Sequence, residues 1–490
     1  MKHLFLLLTV LIAPLAHALE TQAVGDGGSV AVVFENRGVH PQTARVEAGG
    51  DGVEADIPPF GKVAILVQCL GTPPALLGGN GEANTPITLT SLSFPEGPPA
   101  LWISREKSGR ATLEAHLREV RPGLVLQHIA LDQVPDHFAA LRFAPLILME
   151  ISDWGDLSPE RRTAIRGAVA AGAVLLLGGG EGPVEPSVIE QLLPVRSAGV
   201  ERAGPALTAA VQRASGHRIL TAEPAVQVRV EADRAPVVVE APLGLGLVRV
   251  VSVRLSELDH GPVENAAFAE APDALGTVLS WLQGVSPLGE ARTAPLAVHT
   301  WYLLLALVGL ALIARRFPKV AVGGGLVLAT VALALPPTQD RISARAARLL
   351  YIPAGAGALA VGTLDLELHR GGAHTIAAGS GEISLDEAQP SGGCALMAPG
   401  QAAWTVTGEP GARRRLTVFA LVDQLPAAGA AADPLPAWPA GPLAEGALAE
   451  AVNPLLPMAL APAVLEARVV TRPTPQATPP TVLPSPPEGG

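Results

Sequence analysis

Short apolar runs alternate with amphipathic segments in the middle of the chain. The runs LWIS (101–104) and LVLQHIAL (124–131) enclose GRATLEAHLREV (109–120), whose apolar residues recur at helical spacing. A third run, FAPLILMEIS (143–152), follows after a short predicted helix near Pro135 to Leu141. Continuous apolar strands that alternate with amphipathic helices are typical of a parallel sheet covered on both faces. The pattern therefore predicts an α/β domain over residues 100–285.

The best-defined unit of this domain is one helix and the strand that follows it. Ser158 is a good N-cap, Pro159 falls at the first helical position, and Gly172 suits the C-terminal end of the helix. Three apolar residues share one helical face: Ile165, Ala168 and Val169. The strand AVLLL (173–177) follows at once and runs into three glycines. This spacing predicts a strand with a tight turn at its carboxyl end.

Two other regions have the signals of β-structure. Residues 19–99 contain SVAVVFENRG (29–38) and IPPFGKVAILVQCLG (57–71), strand-like runs with turn residues at their ends, and they predict a small Ig-like β-domain. Within residues 350–423, the stretch GTLDLELHR (362–370) alternates leucines with polar residues, as a half-buried strand does. The second region is therefore predicted to be another small β-domain.

The C-terminal part of that second region contributes further strands before the composition changes. WTVTG (404–408) and RLTVFALV (415–422) are both rich in β-forming residues. Residues 424–490, in contrast, are rich in alanine and proline. Such a composition does not support a packed core, so we predict a largely disordered tail.

Three apolar segments are typical of a membrane-associated chain. Residues 1–18 combine a basic start, an apolar run and an Ala-His-Ala motif, which predicts a secretory signal peptide. Residues 296–314 carry no formal charge and, at 1.5 Å per residue, extend about 28 Å as a helix, enough to span a bilayer. Residues 320–337 form a second, marginal span. The sequence thus predicts a signal peptide and two transmembrane helices.

The charges beside these segments predict their orientation. Basic residues follow the first span: Arg315, Arg316 and Lys319. Because basic residues favour the cytoplasmic side, the chain is predicted to lie in a bacterial inner membrane with most of its residues in the periplasm. A helical hairpin is the preferred interpretation. The alternative is a single span with a cytoplasmic C-terminal region, which the arginines after the second segment favour.

Composition narrows the partners and cofactors. The net charge of −11, without a dense basic patch, argues against a nucleic-acid partner. Cys69 and Cys394 fall in different predicted regions, so we interpret them as separate buried thiols; a pairing across the two domains is the alternative. His116, His128 and His137 lack metal-ligand spacing, and His116 is expected on a helix surface. No metal site and no cofactor are predicted.

The α/β region resembles the class I glutamine amidotransferase-like domain, which has a flavodoxin-like fold. The resemblance lies in FAPLILMEISDWGDLSPERRTAIRGAVAAGAVLLLGGGEGP (143–183) and in PLGLGLVRVVSV (242–253), which is similar to that family's terminal strand. In catalytic members, a tight elbow after a strand carries a cysteine, and a later loop supplies His and Glu. The resemblance implies this fold for residues 100–285.

The same resemblance implies that this chain has lost the amidotransferase reaction of the catalytic members. The positions matching the elbow are Gly178, Gly179 and Gly180, and residues 100–285 contain no cysteine. Glu257 and His260 stand in the reverse of the expected order. The chain is therefore predicted to be a catalytically degenerate member without catalytic residues, more a binding protein than an enzyme.

A ligand-binding rim is the remaining candidate site. Ligands of open α/β sheets bind outside the carboxyl ends of the strands. The residues expected there are Ser152, Asp153, Asp156, Gly178, Gly179, Gly180 and Glu181. A phosphate loop is disfavoured because the motif GGGEG lacks the Lys-Ser/Thr pair and places an acid at the turn. A glycine turn that only allows close packing is the favoured interpretation.

Together these features predict a non-catalytic, membrane-anchored periplasmic protein. We expect it to act as a binding or scaffolding component of an envelope complex, or as an auxiliary transport subunit, with envelope proteins as partners and a small-molecule ligand unidentified. One alternative is a periplasmic hydrolase that uses Ser152, Asp153 and Asp156. The other is a ligand sensor that signals through the transmembrane hairpin.

Overall fold

A computed structural model gives the positions of most of the regions outside the predicted membrane spans. The structure describes residues 19–25, 29–36, 38–48, 51–59, 62–69, 76–80, 85–87, 98–105, 109–135, 138, 141–142, 144–179, 195–211, 217–222, 226–258, 261–284, 342–355, 357–369, 372–377, 383–387, 394–397, 403–408, 413–422, 424–425, 444–448, 464–471 and 479–484.

Strands and helices are numbered along the chain. The strands are β1 (Leu19–Gly25), β2 (Ser29–Asn36), β3 (Gln42–Ala48), β4 (Asp51–Ile57), β5 (Lys62–Cys69), β6 (Leu76–Asn80), β7 (Thr85–Ile87), β8 (Pro99–Ile103), β9 (Val125–Ile129), β10 (Leu146–Glu150), β11 (Val174–Gly178), β12 (Val195–Glu201), β13 (His217–Ala222), β14 (Gln227–Ala232), β15 (Ala235–Leu243), β16 (Gly246–Val251), β17 (Ile342–Ala354), β18 (Gly357–Leu368), β19 (Gly372–Ala377), β20 (Ile383–Glu387), β21 (Cys394–Met397), β22 (Ala403–Gly408), β23 (Arg413–Val422), β24 (Ala444–Leu448), β25 (Val464–Thr471) and β26 (Thr481–Val482). The helices are α1 (Arg110–Val120), α2 (Ile151–Asp156), α3 (Pro159–Ala170), α4 (Pro205–Ala210), α5 (Pro262–Ala267) and α6 (Ala274–Gly284).

An eight-stranded mixed sheet forms the centre of the α/β region, in the order β26-β14-β15-β16-β11-β10-β8-β9. The strands from β9 to β16 in this order are parallel, whereas β16, β15 and β14 pair in antiparallel fashion. The predicted α/β domain is therefore confirmed as a mixed sheet with a parallel half. Because the parallel strands run the same way, their carboxyl ends share one edge.

Helices cover both faces of this sheet, as the continuous apolar strands predict. Leu113 of α1 packs with Trp102 on one face, whereas Ile165 of α3 packs in the same cluster as Leu101 on the other. The predicted helix start is confirmed, because the Ser158 hydroxyl accepts a hydrogen bond from the Arg161 amide at 3.3 Å. Adjacent residues of a strand point to opposite faces of the sheet. Because helices cover both faces, apolar residues on either side of such a strand are buried.

A second, six-stranded sheet packs against the α/β region, in the order β20-β23-β18-β17-β25-β24. Leu364 is buried and Asp365 half-buried, so the predicted alternation along β18 is confirmed. On the neighbouring strand β23, Arg415 binds the Asp365 carboxylate through Nε and Nη2, at 2.7 and 3.0 Å. Tyr351 of this sheet lies in the same core cluster as Ile165 of α3. The two regions therefore share one core.

Two four-stranded antiparallel sheets, β1-β2-β5-β21 and β4-β3-β6-β7, contain the N-terminal strands. The prediction of an Ig-like domain complete within residues 19–99 is not supported, because β21 joins this sheet from a point about 300 residues later. Its backbone register places Cys394 opposite Cys69. The two cysteines therefore do not occupy separate regions as predicted, since long-range strand pairing leaves no local signal in the sequence.

Of residues 424–490, which we predicted to form a largely disordered tail, the structure describes 424–425, 444–448, 464–471 and 479–484; the other residues of the tail lie outside the described part of the chain. Three strands form there: β24, β25 and β26. Strand β25 pairs in parallel with β17 of the second sheet, and β26 pairs with β14 of the first. Pairing with an existing sheet edge orders these short segments, although they have too few apolar residues to build a core of their own.

The predicted location as an integral inner-membrane protein, and its membrane keywords, are corrected by the structure. Among the described residues, no helix has both the length and the apolar character that a bilayer span requires. The predicted signal peptide (1–18) and the predicted spans (296–314 and 320–337) lie outside the described residues.

Candidate functional site

The candidate site lies at the carboxyl ends of β10 and β11. Glu150 ends β10 and stands opposite Gly178, the last residue of β11. The Glu150 carboxylate fills the space beside Gly178 so closely that a Cβ atom on Gly178 would overlap Oε2 and Oε1. Glycine at position 178 is therefore explained by the side chain that packs over it.

The two oxygens of the Glu150 carboxylate differ in their surroundings. Oε1 accepts a hydrogen bond from the Leu255 amide at 2.9 Å. Oε2 is out of contact with solvent and has no hydrogen-bond partner among the described residues. The pKa of Glu150 is raised from 4.5 to about 7, mainly by burial. Asp153 and Glu257 contribute to this rise, whereas the Leu255 hydrogen bond and Arg254 oppose it. The carboxyl group is therefore able to take up or release a proton near neutral pH.

The turn after β11 is closed by its own backbone contacts. The Gly179 amide donates to the Val253 carbonyl at 2.8 Å, and the Gly179 carbonyl accepts from Arg218 Nε at 2.7 Å. A Cβ atom on Gly179 would overlap the carbonyl of Ser252. The amide of Gly179 is thus already used and does not form an anion-binding nest or an oxyanion hole.

A buried guanidinium holds this turn against the neighbouring strands. Arg218 of β13 is only 2% exposed, and its own amide donates to the Ser252 carbonyl at 2.7 Å. Burial lowers the pKa of Arg218, and the nearby Glu150 carboxylate partly reverses this shift. The Ser252 hydroxyl is buried without a partner among the described residues. Two unsatisfied polar atoms, Glu150 Oε2 and Ser252 Oγ, therefore belong to residues that contact the glycine turn.

The predicted rim is only partly assembled. Ser152, Asp153 and Asp156 lie on the short helix α2, which begins directly after the last residue of β10. Asp153 is 8% exposed and lies near Glu150, whereas Asp156 is exposed and pairs with Arg105. Gly180 and Glu181 lie outside the described residues. The structure thus brings Asp153 and Gly178 to Glu150 and leads Asp156 away from it.

Of the three histidines considered from the sequence, the structure describes His116 and His128. His116 is buried, not on a helix surface as predicted, and its Nδ1 lies 2.5 Å from Oε1 of Glu264 on α5. His128 Nε2 lies 3.2 Å from the Ser104 carbonyl, and its ring packs edge-on against Trp102. Within the described part of the chain, no group of His, Cys, Asp and Glu residues could hold a metal ion. His137 and His260 lie outside it.

Sequence reasoning missed Glu150, the residue on which the site is centred. One signal could have found it: Glu150 is the single charged residue in the apolar run LILME, at the predicted carboxyl end of a parallel strand. Arg218 carries no comparable signal, because it lies on a small two-stranded sheet formed by β12 and β13, well outside the recognised motifs.

Comparisons with known proteins do not identify the chain. No family model and no curated protein matches it. Among solved structures, Cytoplasmic Protein STM3548 from Salmonella typhimurium is 15% identical, with a TM-score of 0.24, covering 32% of this chain and 87% of that one. Cytoplasmic Protein STM1381 from Salmonella typhimurium LT2 is 14% identical, with a TM-score of 0.26, covering 34% and 97%. Exo-beta-1,4-mannosidase Op5Man5 from Opitutaceae bacterium strain TAV5 is 16% identical, with a TM-score of 0.24, covering 32% and 31%.

Proposed function

We propose that this chain is a non-catalytic binding or scaffolding protein built around a flavodoxin-like, amidotransferase-like α/β domain. Numbered along the chain, its five parallel strands β8, β9, β10, β11 and β16 lie in the order 2-1-3-4-5, which is the flavodoxin-like order. The chain crosses from β8 to β9 in one direction along the sheet and from β10 to β11 in the other. Right-handed crossovers then place the connecting helices on opposite faces, as is the case for α1 and α3.

One observation carries the non-catalytic part of this proposal. On the proposed resemblance, Gly178 and Gly179 match the elbow position where a related enzyme would hold its nucleophile. The Glu150 carboxylate and the Ser252 backbone fill the space beside them. A nucleophile elbow needs an exposed side chain next to free backbone amides. Here the Gly179 amide is bonded to Val253, so neither requirement is met at these two residues.

The binding part of the proposal draws on the same turn. Buried polar atoms in folded proteins nearly always have partners, and those that do not often contact a ligand or a water molecule. Glu150 Oε2 and Ser252 Oγ are two such atoms on residues that border the turn. A polar ligand with hydrogen-bond donors would satisfy both.

Activity assays and complex purification on the full chain test this proposal. We expect no turnover of glutamine or of p-nitrophenyl esters. We also expect the tagged chain, purified from its source organism, to retain a stoichiometric protein partner that native mass spectrometry detects. The variants Asp153→Ala and Asp156→Ala should keep that partner. Turnover that Asp153→Ala abolishes, in a chain that purifies without a partner, would overturn the proposal.

A hydrolase is the second candidate, and the Glu150 environment favours it. A carboxyl group with a pKa of about 7 beside the acid Asp153 resembles a general acid–base group tuned to neutral pH. If this candidate holds, a screen of ester, amide and glycoside substrates finds one whose rate depends on an ionisation near pH 7. Glu150→Gln would remove that ionisation, and Asp156→Asn, at the exposed ion pair, would keep it.

A further inference from the structure

The C-terminal segment 479–484 lies along an edge of the eight-stranded sheet. Its strand β26 pairs in parallel with the edge strand β14, through Thr481 opposite Val230 and Val482 opposite Glu231. The Leu483 amide extends the contact by donating to the Glu231 carbonyl at 2.9 Å. The segment thus covers part of an edge whose backbone groups would otherwise be open to another chain.

The contact of this segment is narrow and depends on one side chain. Leu483 is 5% exposed and packs in the same core cluster as Val230, whereas the adjacent Val482 is 66% exposed. The ladder between β26 and β14 comprises two residue pairs, although β14 is six residues long. Such a contact has the form of strand addition, in which backbone bonds give affinity and a pocket for one side chain gives specificity.

The residues that flank the strand favour reversible binding. Pro479, Pro480 and Pro484 surround it, and proline lacks an amide hydrogen and restricts the backbone to extended conformations. The segment is therefore extended before it binds, which reduces the entropy cost of docking, while the prolines limit the number of ladder bonds it forms. A short and preorganised strand of this kind is suited to exchange.

We propose that the β14 edge is a peptide-binding site and that residues 479–484 are its intramolecular occupant. Its ligand is an extended segment of a partner protein, with a leucine side chain for the pocket that holds Leu483, a solvent-facing residue before that leucine, and prolines on either side. The chain's own tail competes with this partner and keeps the edge covered until the partner is present. The inference specifies a surface for the proposed binding function, but it does not depend on the glycine turn.

Binding of a labelled peptide to the full-length chain tests the inference. The probe is a fluorescein-labelled peptide of residues 476–487, QATPPTVLPSPP, measured by fluorescence anisotropy. In the Leu483→Asp variant the tail no longer fits the pocket, so the probe should bind at least about tenfold more tightly than to the wild type, where the covalent tail competes. A probe that carries the Leu483→Asp change should bind neither protein.

Val482→Asp is the matched control, because it places the same charge one residue away on an exposed side chain. It should bind the probe as weakly as the wild type does. Equal binding of the probe to the wild type and to the Leu483→Asp variant, or no binding to either, would show that the edge is not an exchangeable peptide site. Catalytic activity at the glycine turn would contradict the proposed non-catalytic function, but it would not change the binding of the probe. The two proposals can therefore be disproved independently of each other.

A second measurement decides the matter if Leu483→Asp does not fold. A protease recognition sequence in place of residues 473–477 allows the tail of the otherwise native protein to be cut from the chain. After cleavage, the fragment should separate on size exclusion and the unlabelled probe peptide should restore the original melting temperature. A fragment that stays bound through gel filtration at micromolar concentration would identify the tail as a permanent part of the fold.

Discussion

Two carboxylates of the same sheet, Glu240 and Glu150, are buried in different ways. Glu240 lies in the middle of β15, directly opposite Arg249 of β16, and its Oε2 accepts from Arg249 Nε at 2.8 Å. Glu150 ends β10 opposite Gly178, and one of its oxygens has no partner among the described residues. The first carboxylate is compensated by a full positive charge, and the second by one backbone amide and by its ability to hold a proton.

The Glu240 pair also connects the sheet to a helix. Arg249 also donates to the carbonyls of Ala267 and Ala269, at 2.9 and 2.7 Å, so the Glu240 pair fixes the C-terminal end of α5 against the sheet. The Glu150 carboxyl group, in contrast, lies at the carboxyl edge of the sheet, and its Oε2 has no hydrogen-bond partner among the described residues. Loss of Arg249 would leave Glu240 as an uncompensated buried charge, whereas the raised pKa of Glu150 lets this group avoid that cost by holding a proton.

Replacement of Arg249 should have the largest effect on stability. Arg249→Met leaves the Glu240 carboxylate buried and removes both bonds to α5, so the free energy of unfolding should fall by about 3–5 kcal/mol. Urea denaturation followed by tryptophan fluorescence measures the change. The double variant Glu240→Leu/Arg249→Met should recover most of it. If the double variant is as unstable as the single one, the loss comes from the α5 carbonyl contacts and not from the uncompensated charge.

The pH dependence of stability should report Glu150. Its pKa in the folded protein, about 7, lies above the ordinary value of 4.5, so the folded state holds this proton more tightly than the unfolded state does. The stabilisation is complete below pH 4.5 and is lost as the pH rises to about 7. Between these limits the wild type should lose on the order of 3 kcal/mol relative to Glu150→Gln.

Denaturation curves of the wild type and of Glu150→Gln, recorded side by side at half-unit pH steps, measure this difference. Titrations elsewhere in the chain cancel, because both proteins share them. Parallel stability profiles for the two proteins across this range would mean that Glu150 ionises normally, and the contrast with Glu240 would then disappear.

Substitution of Gly178 should have an intermediate effect. A Cβ atom in Gly178→Ala would collide with the Glu150 carboxylate, so we expect a loss of about 1–3 kcal/mol in the free energy of unfolding. Gly155→Ala is the control, since nothing lies within 4 Å of a Cβ atom there. The double variant Glu150→Ala/Gly178→Ala should be more stable than the sum of the single effects predicts. Strict additivity would argue that the carboxylate does not fill this space.

Removal of Arg229 should have the smallest effect. Its Nη1 lies 3.7 Å from Glu240 Oε1, and its side chain is 36% exposed. Because solvent screens such a pair, Arg229→Ala should cost less than about 1 kcal/mol in urea denaturation. A loss comparable to that of Arg249→Met would show that the two arginines compensate Glu240 together, and that the buried pair is not self-sufficient.

The elements of the α/β domain were accessible from the sequence because their signals are local. The cap at Ser158, the proline after it and the apolar spacing along α3 all fall within a few residues of one another, and the structure confirms that helix. The position of the glycine turn after β11 was equally accessible, as was its role in close packing.

The site and the sheet edges depend on contacts between distant residues. Glu150 and Leu255, whose hydrogen bond shapes the candidate site, are 105 positions apart. β21 pairs with β5, and β26 pairs with β14. In neither case does the sequence of one strand indicate the other as its partner. The residue pattern of a strand indicates which of its faces is buried. Its backbone hydrogen bonds depend little on the side chains, so the pattern does not indicate which strand it pairs with.

The sequence by itself therefore determined helix α3, the apolar strands beside it and the position of the glycine turn, because periodicity and capping are properties of adjacent residues. Only the tertiary structure decided that a carboxylate fills the space beside Gly178, that Arg218 binds the carbonyl of Gly179, and that a leucine near the C-terminus covers the edge of β14. These contacts arise when the chain collapses around its core, and the free energy of burial selects them without regard to their distance along the chain.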